Sequence, residues 1–209
     1  MNILSESKYE ETSFEDMDFR FLHIRKSVFA NCNFKNAVMD ESTITSCEFV
    51  NCNFKSTRLN ASDIKNSAFL NCRFRFADLF NTCFEDCKMV GSTFQEANLL
   101  GIVIRRGDWS YTNLKFHDFK GLDLTEINFT RADLSGCNLE KTIFDNSKLI
   151  YTNLHKAKLT GCNLRGAVIE GIDLSELDLH KVKLDIAQCI LLATSLGAEV
   201  EFSFDNFSM

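Results

Sequence analysis

Every fifth residue from Phe14 through Leu184 is large and apolar. The series opens Phe14, Phe19, Ile24, Phe29, Phe34, Met39, Ile44, Phe49, Phe54 and ends Ile169, Leu174, Leu179, Leu184, without a slip. Tyr9 and Leu4 extend it toward the N-terminus. A period of five fits neither a helix at 3.6 residues nor a flat strand at 2. It fits a wall that turns a corner every five residues, with one large side chain pointing inward each time. A second series lies two residues before each centre and is small: Ser27, Cys32, Ala37, Ser42, Cys47, Cys52, Thr57 and onward to Cys162 and Ala167. The other three positions of each five are mostly polar, so they face water.

The number of fives per coil is also written in the chain. Ala30-Asn-Cys-Asn-Phe-Lys35 returns as Val50-Asn-Cys-Asn-Phe-Lys55 and again as Leu70-Asn-Cys-Arg-Phe-Arg75. The step is twenty, so four fives close one coil, and like residues stack: Phe14, Phe34, Phe54, Phe74 and Phe94 form one column. The expectation is an all-β solenoid, a four-sided β-helix of nearly nine coils over residues 1–185, with neighbouring coils about 4.8 Å apart. Proline deletes a ladder donor on any wall, and the chain of 209 residues contains none.

At these positions Ala77-Asp-Leu, Ala97-Asn-Leu and Ala132-Asp-Leu-Ser-Gly136 resemble the pentapeptide-repeat family. The resemblance covers about residues 12–185. It implies a right-handed quadrilateral β-helix and says almost nothing about function.

Residues 186–209 break the register. Ile186, Cys189, Ile190, Leu192, Ala193 and Leu196 follow helical spacing, with Gly197 as the stop. This short helical cap is expected to close the last coil. The tail from Glu199 to Phe207 alternates apolar and polar residues like an edge strand. That is more apolar surface than one cap needs. A symmetric homodimer through Ile190, Leu191, Leu192, Leu196, Val200, Phe202 and Phe204 is therefore expected.

The run Val182-Lys-Leu-Asp185, then Gln188, Leu191-Leu192 and Leu196-Gly197, looks like the cap of the quinolone-resistance pentapeptide proteins, the Qnr family. Leu100-Gly-Ile-Val-Ile-Arg105 and the opening Met1-Asn-Ile-Leu are similar too. That resemblance implies a dimer joined at its C-terminal ends. It implies binding to DNA gyrase and topoisomerase IV by mimicry of a DNA duplex, and relief of fluoroquinolone inhibition. Members of the mobile Gram-negative type carry two loops that interrupt the repeat. Here the register is unbroken, which leaves protection open against inhibition, immunity to a natural gyrase poison, or a scaffold role toward another protein.

Charge bears on the mimicry. The net charge is −6, which argues against direct binding of nucleic acid. Residues 19–107 hold twelve basic and eight acidic side chains, whereas residues 166–185 hold Glu170, Asp173, Glu176, Asp178 and Asp185 against Lys181 and Lys183. Glu170, Asp173, Glu176 and Asp178 are the expected partner-binding acids, beside a two-fold axis that doubles them.

No catalytic, cofactor or metal site is expected. Seven of the nine cysteines (Cys32, Cys47, Cys52, Cys72, Cys87, Cys137, Cys162) take the small inward position and read as buried hydrophobes. Cys83 and Cys189 lie off that register. His117 occupies an inward slot and reads as a buried, hydrogen-bonded misfit rather than a base. Residues 102–127 put Ile102, Gly107, His117, Leu122 and Ile127 where small residues are usual; this reads as a local change of wall shape, with larger residues filling a wider coil, or as a contact patch, and a strained wall is a natural place for a β-bulge. No run of 18 apolar residues suggests a membrane span. Met1–Lys8 has no basic start followed by an apolar stretch, so a cytoplasmic protein with reduced thiols is the expectation.

Overall fold

The computed structural model describes residues 3–201. Parallel pairing at a step of twenty runs along the chain. Ile3 pairs with His23, His23 with Thr43, Thr43 with Asp63, Asp63 with Cys83, and Cys83 with Val103. The same column resumes as Asp123–Ile143–Asn163–Lys183. Most strands are three residues long, such as Lys8–Glu10 and Thr43–Thr45. The architecture is the four-sided β-helix that the repeat predicts, right-handed as the family resemblance implies, with one C-terminal helix.

The corner of each five is made by the residue two after the centre. Asp16, Phe21, Lys26, Asn31, Asn36 and most of their non-glycine successors have φ near +55°, and the glycine corners lie near +70°. This left-handed conformation costs an L-residue roughly 1–2 kcal/mol. It persists because most corner N–H groups donate across the coil step, as Asn36 does to Lys55 O at 3.0 Å and Ser56 to Arg75 O at 2.9 Å.

The two inward series have different duties. Centres fill the rod: Phe34, Phe54, Phe74 and Phe94 stack at 4.8–4.9 Å between ring centroids, and all are fully buried. The small residues satisfy carbonyls that the core would otherwise strand. Thr57 Oγ1 donates to Phe34 O at 2.7 Å, Ser62 Oγ to Met39 O at 2.7 Å and Thr82 Oγ1 to Leu59 O at 2.8 Å. Cys72 Sγ sits 3.4 Å from Phe49 O in the same role. The seven register cysteines are buried, Cys83 is half-buried and Cys189 is exposed, as the register requires.

Helix α1 (Ile186–Ser195) closes the rod. Asp185 is its N-cap and forms a capping box with Gln188. Gln188 is the helix's one buried residue. Its Nε2 donates to Leu164 O at 2.5 Å and Ala167 O at 2.7 Å, the carbonyls of the last complete coil. Gly197 follows at φ +86°, with its N–H on Thr194 O. Ala198–Glu201 is paired in no sheet, so the expected edge strand is absent from the described part of the tail.

The irregular segment is not a bulge. Thr93 still pairs with Asn113, and Gly107 with Ile127, each at a step of twenty, so no residue is inserted. The oversized inward residues open a gap between coils instead.

Candidate partner-binding surface

Glu170, Asp173, Glu176 and Asp178 are all exposed on the last coil. Two of them have structural duties. Asp173 Oδ1 accepts from Ser175 N at 3.1 Å and Ser175 Oγ at 2.6 Å, and these bonds hold its carboxyl below the usual range. Asp178 Oδ1 accepts from His180 N at 3.0 Å. Glu170 has no such bond among the described residues. Glu176 lies 3.5 Å from His155 Nδ1, an ion pair only when the imidazole is protonated. Asp173 and Glu176 share a shallow hollow of about 260 Å³ with Tyr151 and His155, whereas Glu170 and Asp178 lie outside it.

The acids at the other end of the rod are partly paired: Glu6 with Lys26, Glu15 with Lys35 and Asp18 with Arg20, whereas Glu10, Glu11 and Asp16 have no base among the described residues. Among the described residues no lysine or arginine pairs with Glu170, Asp173, Glu176 or Asp178.

The expected dimer residues divide by exposure. Leu191, Leu196 and Val200 are exposed. Ile190 and Leu192 are half-buried, and Leu192 packs against the core. Phe202 and Phe204 lie outside the described residues. Ile186, which sequence reasoning placed on the packed helical face, is 73% exposed instead. The apolar cluster and the unpaired acids meet at one end of the rod.

A second surface was not legible. Phe76, Phe80, Leu100 and Phe116 are exposed on the coils around residue 100, at positions that are polar elsewhere. Arg75 stacks over the Phe76 ring at 4.6 Å. Leu100 and Phe116 line the gap between coils, and Phe76 and Phe80 lie one coil before it. Inside it, His117 is partly buried, with Nε2 2.7 Å from Phe94 O; burial lowers its pKa. Trp109 is fully buried, and its Nε1 has no hydrogen-bond partner. Neither surface gathers a nucleophile, a base and an oxyanion donor, the minimum for a catalytic reading.

Among the described residues no helix is long and apolar enough to cross a membrane. No curated protein matches the chain in sequence. The model of the Pentapeptide repeats family (8 copies) matches residues 127–166 and 152–185, and that of the SV2A/B/C luminal domain matches residues 1–75. Among solved structures, full-length QnrB1, a plasmid-mediated fluoroquinolone resistance protein, superposes with a TM-score of 0.68 at 22% identity, covering 94% of this chain and 100% of that one. A trypsin-treated QnrB1 gives 0.67 at 22% identity, covering 96% and 100%. HetL, a pentapeptide-repeat protein involved in heterocyst differentiation regulation in Nostoc sp. strain PCC 7120, gives 0.58 at 17% identity, covering 87% and 86%. At these identities the likeness establishes the fold. The family match adds that residues 127–185 carry pentapeptide repeats, and the fold of the whole rod is that of the pentapeptide-repeat structures.

Proposed function

We propose that this protein acts on a type II topoisomerase, DNA gyrase or topoisomerase IV, as a homodimeric mimic of duplex DNA, and that it relieves quinolone inhibition. The observation that carries the reading is the set of unpaired carboxylates on the last coil, next to exposed Leu191, Leu196 and Val200. A two-fold axis through that apolar cluster doubles the acid at the centre of an elongated rod. A basic DNA-binding saddle recognises such a charge distribution. The likeness to QnrB1 over the whole chain, cap included, supports the same reading.

A second reading keeps the target and changes the outcome. The step of twenty admits no inserted loop between Ile3 and Lys183. Nothing projects from the rod toward a drug-stabilised cleavage complex, and a mimic that only competes with DNA inhibits the enzyme. A gyrase supercoiling assay with and without ciprofloxacin separates these outcomes. Restored supercoiling supports protection, loss of supercoiling without drug supports inhibition, and no effect at a saturating dose sinks both.

A further inference from the structure

Main-chain hydrogen bonds join the coils along most of the rod; they fail under the last coil, where Leu154, Lys156 and Leu159 reach nothing, and again in the middle of the rod. Between residues 95–106 and the coil above, 115–126, the ladder is open on two adjacent walls. The N–H groups of Leu79, Asn81 and Phe76 reach Asn98 O, Leu100 O and Gln95 O at 2.9–3.1 Å; one coil further on, Leu99, Gly101 and Glu96 reach nothing. Ile104 and Arg106 likewise lack the partners that Leu124 and Glu126 have in Ile143 and Asp145. From the upper rim Asp118 and Asp123 do not donate down, although Asn138 and Ile143 do so to His117 O and Leu122 O. Open spaces of about 700 Å³ and 500 Å³ lie along this slot.

The other two walls stay closed. Residues 107–114 pair downward, Gly107 with Cys87 and Asn113 with Thr93, and upward, Gly107 with Ile127 and Asn113 with Asp133. Side chains respect the same division. On the lower rim Arg106 pairs with Asp86 and Arg75 with Glu96; on the upper rim Lys115 pairs with Asp133 and Lys120 with Glu140. Among the described residues the one polar contact across the slot is His117 Nε2 to Phe94 O. His117 and Leu122 line the slot where serine, threonine or cysteine would sit.

We infer that the rod is jointed here: the coils before residue 107 and those after 114 pivot about the closed walls, with His117 and Leu122 as the wedge that holds the slot open. A ladder fixed on two walls and free on two bends toward the fixed side. Each half keeps its own ion pairs, so the motion breaks none of those. Local opening is easiest where backbone bonds and side-chain bridges are fewest. A jointed rod can follow a partner surface whose curvature a rigid one would not match.

Paired spin labels in the full chain, in a Cys83→Ser, Cys189→Ser background, test this. Arg58→Cys with Lys158→Cys spans the slot along an open wall, and Glu48→Cys with Lys148→Cys spans the same number of coils along a closed wall. The expected distance distribution is about twice as broad on the open wall. The amides of Leu99, Gly101, Ile104 and Arg106 are expected to exchange roughly tenfold or more faster than those of Leu79, Asn81, Leu124 and Glu126. Equal widths on the two walls overturn the joint. His117→Ser with Leu122→Ser should narrow the open wall to match the closed one. A width unchanged in a folded double variant overturns the wedge assignment.

Discussion

Gln188 Nε2 lies 2.5 Å from the carbonyl oxygen of Leu164, and this buried amide pins the cap to the rod. The same nitrogen reaches Ala167 O, so one side chain serves two carbonyls of the last coil. Gln188→Ala would leave both without that donor. Stranding a buried acceptor costs about 1–3 kcal/mol. The expected result is a cap that melts before the rod, read as early loss of helical ellipticity on heating. A single unchanged transition would show that the apolar contacts of Leu192 suffice.

Asp185 works on the same cap through pH. Its carboxylate accepts from Gly166 N at 2.9 Å and Gln188 N at 3.0 Å, which hold its pKa below the ordinary value. A depressed acid contributes stability that is complete above its unfolded pKa, near 4, and is lost as pH falls through the lower folded value. The group is half-buried at the end of the rod, where solvent still screens it and keeps the effect small. Asp185→Asn caps the helix about as well but has one acceptor oxygen for two N–H groups, so it should flatten the acid limb of cap melting and lower neutral stability by about 1 kcal/mol.

His117 loads a different window. Burial lowers its pKa, so the unfolded chain binds the proton more tightly. Stability is complete above the unfolded value, near 6.5, and falls as pH drops through that value toward the folded one. Urea midpoints measured from pH 8 to pH 5 should therefore decline in the wild type. They should decline less in His117→Ser, whose hydroxyl can take over the Phe94 carbonyl. Parallel curves would mean that the imidazole is protonated in the fold at little cost.

Thiol chemistry checks the register itself. Burial pushes the Cys87, Cys137 and Cys162 thiols up to about 12. Thiolate is the reactive form, so native alkylation should label Cys189 first. Cys83 should follow more slowly, because partial burial raises its pKa as well. Mass spectrometry showing early label at Cys52 or Cys72 would mean that the coils open in solution.

The repeat made the rod readable because its two inward positions are chemically distinct and recur without a gap. Phe34, Phe54 and Phe74 announce a stack before any coordinate is known. His117 and Leu122 could be flagged as too large for their slots, but side-chain size does not say how a wall relieves the crowding. A bulge inserts a residue, whereas here the spacing stays at twenty and the hydrogen bonds open. Gln188 stands in the run that resembles the Qnr cap, but its side chain alone does not say that it is buried. Its duty follows from the angle at which α1 meets the last coil, which no local pattern encodes. The acids of the last coil could be counted, but not their freedom from partners, which depends on which bases sit one coil away.

That freedom is where the topoisomerase reading is exposed to test. Asp173 and Asp178 accept backbone N–H groups in their turns, so reversing them would mix structure with charge. Glu170 and Glu176 carry no backbone bond and give the cleaner experiment. Glu170→Lys with Glu176→Lys should leave thermal melting within about 0.5 kcal/mol of wild type, because exposed substitutions away from caps and cores cost no more. Binding to gyrase, measured at low salt where surface charge acts over the longest range, should weaken. Its dependence on salt should flatten, since fewer counterions are exchanged at the saddle. A parallel change should appear in the supercoiling assay, whether the wild type protects or inhibits. Affinity and salt slope both unchanged in a folded double variant would remove the last coil from the interface. The exposed Phe76, Phe80, Leu100 and Phe116 around the slot would then be the next surface to alter.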